Sequence, residues 1–91
     1  MKRIYNVVII DDDQASIDNL VACLNSFQML EIAGTARNGH LGKKIIAKNK
    51  PDLLFLDMEL TDMSGIDMFN EIKNEIDSVL CAGPPLVRAM I

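Results

Sequence analysis

Ninety-one residues, 49% of them apolar and 24% charged, are enough for one small domain with a packed core, and they exclude two domains or a disordered chain. The formal net charge of −4 excludes a nucleic-acid binder acting by itself, because backbone phosphates demand clustered Lys and Arg. Cys23 and Cys81 show neither CxxC nor metal-ligand spacing, so no disulfide framework is expected and a reducing cytoplasm fits.

Lys2 and Arg3 precede an apolar run too short for a signal peptide, and no stretch is long enough to cross a membrane. Ile4 to Ile10 is β-branched with little alternation, which predicts a first strand buried on both faces, as in a parallel sheet. The strand runs directly into Asp11, Asp12 and Asp13. Ile17, Leu20, Val21, Leu24 and Phe27 then recur at helical spacing and predict a first helix to about Phe27, with Asp12 or Asp13 capping it by accepting backbone N–H bonds. Met29 to Ala36 reads as a second strand, ended by Asn38-Gly39. A second helix is predicted over about Leu41 to Lys50, with Lys43, Lys44, Lys48 and Lys50 as a solvated face.

Pro51 cannot continue that helix and marks the start of a third strand, Asp52-Leu53-Leu54-Phe55-Leu56-Asp57. After the loop Met58 to Ser64, the residues Ile66, Phe69, Ile72 and Ile76 form a third amphipathic stripe with Ser64 as its cap. Ser78 to Ala82 can begin a fourth strand, which Gly83-Pro84-Pro85 breaks. This alternation predicts an α/β fold: a doubly wound parallel sheet with helices on both faces, incomplete, with about three βα units plus a fourth strand. Residues 1–77 read as the N-terminal part of one domain, and 78–91 as an atypical C-terminal tail.

Open α/β sheets bind ligands beyond the carboxyl ends of their strands, where neighbouring connections leave in opposite directions. In a 2-1-3 strand order that point lies between strands one and three, which end in Asp11, Asp12 and Asp57. At ~5 Å and an effective dielectric of ~20, each carboxylate pair costs on the order of 3 kcal/mol. A divalent cation removes that cost. Oxygen ligands without His or Cys favour Mg²⁺. Asp11 to Asp13 alone would read as a helix cap with loop polarity; Asp57, directly after four apolar residues on the adjacent strand, makes a shared site the better reading.

The stretches VVIIDDDQ, GTARNG and PDLLFLDMELTDMSGIDMF, with the spacing between them, resemble the receiver domain of bacterial two-component response regulators over about residues 4 to 76. Receivers are among the proteins that exemplify the strand-order rule used above. The resemblance implies a flavodoxin-like sheet and assigns Asp57 as the acceptor of a phosphoryl group from a sensor histidine kinase. It also implies Asp12 as a direct Mg²⁺ ligand, Asp11 as an acid holding the metal through water, and the backbone carbonyl of Glu59 as a further ligand. Gly65 fits the tight loop after the acceptor. Thr61 stands where the family usually has proline and is expected to loosen that loop.

Two departures from the family pattern follow. The Ser or Thr expected at the end of the fourth strand falls near Ala82 or Gly83, and nothing after Lys73 supplies the usual lysine, Arg88 lying in the wrong context. The tail from about Ser78 reads as a truncated gene or a shifted reading frame would. Phosphoryl acceptance is therefore expected to survive, and transmission to the fourth and fifth strands to fail. With one sheet face short of a helix and an edge exposed, a homodimer or a strand-exchanged dimer is expected.

Three rival readings stand beside this one. The first is a non-phosphorylated truncated receiver serving as an interaction or dimerisation module. The second is a phosphohydrolase of the haloacid-dehalogenase type, because LLFLDMELT is close to hhhDxDxT with Glu59 at the second acid; against it, the acidic pair comes first and the chain is short. Enzymatic turnover is not expected. The third, a nucleotide or flavin site, lacks a glycine-rich turn after the first strand. His40 reads as a surface residue, Met58 and Met63 as adaptable filler, and Cys23 and Cys81 as small buried hydrophobes. DMELTDMSG is similar to receivers that carry LytTR-type DNA-binding domains.

Overall fold

A computed structural model describes residues 3–74, 76, 78–83 and 86–90, the last two segments by their backbone alone. The elements follow one another as β1 (Tyr5–Ile10), α1 (Gln14–Leu24), β2 (Leu30–Ala36), α2 (Gly39–Asn49), β3 (Leu53–Asp57), α3 (Gly65–Ile72), β4 (Ser78–Gly83) and β5 (Leu86–Met90). One sheet holds all five strands in the order β2-β1-β3-β4-β5. It is parallel through β4, and β5 lies antiparallel on the edge.

β1 suits its inner place between β2 and β3 because both of its faces are apolar. Val8 and Ile10 join Leu54 and Leu56 of β3 in a cluster with Ile46 of α2 and Met68 and Ile72 of α3. Val7 and Ile9 face the other way, onto Ile17 and Leu24 of α1, with Leu53 and Phe55 of β3 only partly covered there. A side-chain period of two thus sends one strand to two cores. The β1–β2 ladder carries a register shift between Val7 and Val8, whose partners are Ile32 and Gly34, leaving Ala33 as the extra residue.

Each helix begins on a side-chain cap. Asp13 caps α1, Asn38 caps α2 by accepting from the Leu41 N–H, and Ser64 caps α3 by accepting from the Asp67 N–H. Lys50 closes α2 in the left-handed region at φ 46°, and buried Pro51 then turns the chain toward β3. Among the described residues no helix is long and apolar enough to cross a membrane.

Several expectations need correction. α1 ends at Leu24, so Phe27 leaves the buried stripe and is 49% exposed. α2 starts two residues before Leu41, because Asn38 is its cap. In α3 the buried stripe is Gly65, Met68 and Ile72, and Ile66 is 57% exposed; the close seating of Gly65 against the preceding loop sets the helix phase. Cys23 is exposed rather than buried, one position off the Ile17–Leu24 stripe. The side chains of Cys81 and Arg88 lie outside the described residues. Lys44, Lys48 and Lys50 are not buried, as a solvated face requires, while Lys43 pairs with Glu71 of α3 at 3.1 Å. β4 ends at Gly83, where the sequence places its breaker. β5 has no counterpart in the sequence-based expectation: it pairs antiparallel with β4, and the two residues between the strands are too few for the crossover a parallel neighbour needs.

Candidate functional site

β1 and β3 deliver their carboxylates by register. Ile10 is paired with Leu56, so the next residues, Asp11 and Asp57, come side by side at the carboxyl edge of the sheet. The Asp11 N–H extends the ladder on the other side by donating to the Ala36 carbonyl at 3.0 Å. One oxygen from each of Asp11, Asp12 and Asp57 lies within 4.8 Å of the others, and all three residues are partly buried.

Asp13 is kept for another purpose. Its carboxylate accepts from Ser16 Oγ at 2.7 Å and from the Ser16 N–H at 3.3 Å, and these bonds hold it below the usual carboxylate range. Of three consecutive aspartates, two face the pocket and one caps the helix. The Asp13 N–H donates to Asp11 Oδ1 at 2.9 Å. Arg37, just beyond β2, donates through Nε and Nη2 to the Asp12 carbonyl at 3.2 and 3.0 Å and so ties the β1–α1 loop to the neighbouring strand.

Asp57 carries the electrostatic consequence of this packing. Burial pushes its carboxyl up to about 6, the charges of Asp11 and Asp12 push the same way, and the Glu59 N–H, donating to Asp57 Oδ1 at 3.0 Å, pulls against them. An acid raised among like charges is what a bound cation would relieve. The donor set is oxygen alone, which fits Mg²⁺.

The loop from Met58 to Ser64 is pinned at its base. Glu59 and Ser64 form an antiparallel bridge, and the Gly65 N–H donates to the Met58 carbonyl at 2.9 Å. A Cβ on Gly65 would stand 2.5 Å from Met58 Cα and 2.7 Å from the Asp57 carbonyl oxygen, so only glycine lets α3 start this close to Asp57. The tip is pinned as well, despite Thr61. Asp62 accepts from the N–H of Gly39 at 2.8 Å, from the N–H of His40 at 3.0 Å and pairs with His40 Nδ1. Those donors hold the Asp62 carboxyl well below its ordinary range.

At β4 the register sets Ala82 beside Asp57, the neighbourhood in which the family pattern calls for a hydroxyl residue. Sequence reasoning missed Arg37 and Asp62. Neither has a local signal, because each acts on a backbone 22 to 25 residues away. His40 is exposed, in keeping with a surface residue, but it is tied to Asp62.

Known proteins share this fold. The model of the response regulator receiver domain matches residues 7–82. An uncharacterized response regulatory protein of Vibrio parahaemolyticus is 34% identical over 68 residues, 75% of this chain and 28% of that protein. The sensory transduction protein LytT of Bacillus anthracis is 34% identical over 67 residues, 74% of this chain and 27% of that protein. The chain thus spans less than a third of these relatives. The solved receiver domain of Erythrobacter litoralis PhyR superposes with a TM-score of 0.77 at 33% identity, over 87% of this chain and 62% of that one.

Proposed function

Since this chain belongs to the response regulator receiver domain family, we propose that it accepts a phosphoryl group on Asp57 from the phosphohistidine of a sensor histidine kinase. The observation that carries the reading is the convergence of Asp11, Asp12 and Asp57 within 4.8 Å at the ends of β1 and β3. Asp12 and Asp57 would hold Mg²⁺ directly, Asp11 through water, and Glu59 through its backbone carbonyl. Bound there, the ion would offset most of the charge of the three acids and would draw charge from the phosphoryl group in transit.

The chain's own part is nucleophilic. A carboxylate oxygen of Asp57 forms the new P–O bond as the P–N bond to the donor imidazole breaks, and the bonding pair leaves with the imidazole nitrogen, which takes up a proton. The Glu59 N–H on Oδ1 fixes the carboxylate plane and leaves the second oxygen as the attacking atom. Asp57 titrates near 6 and is therefore ionised at neutral pH. Ala82 in register with Asp57 supports the further reading that acceptance proceeds while transmission along β4 is weak. The half-covered Leu53 and Phe55 on the α1 face favour self-association. A cytoplasmic site of action agrees with a kinase donor.

Incubation with Mg²⁺ and acetyl phosphate, followed by intact mass, tests the acceptor. One phosphoryl mass is expected on the wild-type chain and none on Asp57→Asn or after chelation of the metal. A chain that binds its kinase yet never gains mass would instead be a phosphate-independent interaction module.

A further inference from the structure

We infer that Asp62 is a positioning residue: its bonds to the start of α2 hold the loop that presents Glu59 to Asp57. This inference rests on the acceptor reading above for its chemistry, but the contacts stand without it.

The loop 58–64 has two jobs that need one fixed shape. It must place the Glu59 N–H on Asp57 Oδ1, at 3.0 Å, and it must return the chain so that Gly65 starts α3 against Met58. The base bonds fix its two ends, and Leu60 and Met63 pack partly buried against the larger core. Apolar contact is non-directional, so by itself it leaves the backbone of the tip some freedom. Asp62 removes that freedom with both carboxylate oxygens. Oδ1 takes the Gly39 N–H, and Oδ2 takes the His40 N–H and meets His40 Nδ1. These amides are among the first of α2, which its own turns leave unpartnered, and a carboxylate there is further favoured by the helix dipole. Met63 seats beside the same spot: a Cβ at Gly39 would fall 2.6 Å from Met63 Cγ and Sδ.

α2 is itself a fixed support, since its Ile46 is fully buried in the larger core and its Asn38 cap holds the Leu41 N–H. The loop after Asp57 is therefore braced from a helix that contributes nothing directly to the acidic pocket. His40, with an exposed side chain, strengthens the brace from outside. Asp62 spends both oxygens on α2 and takes no part in the phosphoryl chemistry; its effect passes through Glu59.

The experiment compares wild type, Asp62→Ala, Asp62→Asn and His40→Ala on the full chain, below each variant's melting transition. Amide exchange at Glu59, Gly39 and His40 is read by NMR, and the rate of Asp57 labelling is read with Mg²⁺ and acetyl phosphate. Asp62→Ala is expected to speed exchange at all three amides and to slow labelling about tenfold, as a small misplacement of a reacting group does. Asp62→Asn keeps one acceptor oxygen and is expected to recover much of the rate. His40→Ala loses a single contact and should fall between Asp62→Asn and wild type. Unchanged Glu59 exchange in Asp62→Ala overturns the inference, and so does faster exchange with an unaltered labelling rate. If wild type never labels, the acceptor reading fails by itself, and the exchange data alone decide whether Asp62 holds the loop.

Discussion

The two faces of the sheet are covered unequally, and the site leans on the better-covered one. On one face, Val8, Ile10, Leu54 and Leu56 meet both α2 and α3 and are fully buried. On the other, among the described residues, Val7 and Ile9 meet Ile17 and Leu24 of a single helix, α1, and Leu53 and Phe55 are only partly buried. Asp57 ends a strand that belongs to both. The loop after it is held by α2 through Asp62 and by α3 through Gly65, whereas α1 contributes the Asp13 cap that leaves Asp11 and Asp12 to the pocket. The Asp57 side of the pocket is thus built from the rigid face, and the Asp11–Asp12 side from the start of the lighter one.

Truncating one residue on each face of β3 breaks the comparison most directly. Leu56→Ala empties a site with no solvent exposure and should cost about 3 kcal/mol, enough to lower the melting temperature of a domain this size by well over ten degrees. Phe55→Ala removes a larger side chain from partial cover and should cost about half as much. Thermal melts at several concentrations check this. Equal losses at high concentration, with Phe55→Ala becoming mild on dilution, would show a second copy covering the α1 face.

A smaller effect resides in the charge of the pocket. The Asp57 carboxyl sits near 6 in the folded chain, against 3.8 for an ordinary aspartate. Between those values the folded state holds a proton that the unfolded state has lost, so stability falls as pH rises from about 4 to 6. Full burial would make this about 3 kcal/mol, but Asp57 is only partly buried and solvent screening leaves about 1 kcal/mol. Asp57→Asn should therefore melt higher than wild type at pH 7 and match it at pH 4. Mg²⁺ should close the gap at pH 7 by stabilising wild type. Parallel pH profiles for the two proteins would mean that neither burial nor the neighbouring acids raise the Asp57 carboxyl.

Much of this is legible in the chain. Apolar runs ending in aspartate mark β1 and β3 and the converging acids, because a strand buried on both faces leaves polar residues only at its ends. The caps at Asp13 and Ser64 are local and readable. Helix phase is not: Ile66 and Met68 are both apolar, and the contact that chooses Met68 for the core comes from Gly65 meeting Met58 across the loop. Cys23 is misplaced by the sequence pattern for a similar reason, since one residue of rotation separates it from buried Leu24. β5 follows no hydrophobic period that a crossover would impose. The Asp62 brace and the Arg37 tie depend on which loops the fold makes adjacent, and no spacing in the sequence records that.

The smallest expected change tests how much strain the better-packed face tolerates. Lys50 closes α2 in the left-handed region at φ 46°, the single non-glycine residue with positive φ among those described. Its N–H donates to the Ile46 carbonyl at 2.8 Å, and buried Pro51 follows at once. A side chain in that conformation costs roughly 1 kcal/mol that glycine would not. Glycine also gives the unfolded chain more freedom, which offsets part of the gain. Lys50→Gly should thus stabilise the fold by about 0.5 kcal/mol, a rise of roughly two to four degrees in the melt. Exchange at the Gly39 and His40 amides, at the far end of α2, should stay as in wild type. A loss of stability would mean that the lysine side chain contributes packing or charge worth more than the strain it carries, and the α2 face would then owe part of its rigidity to its C-terminal cap rather than to Ile46 in the core.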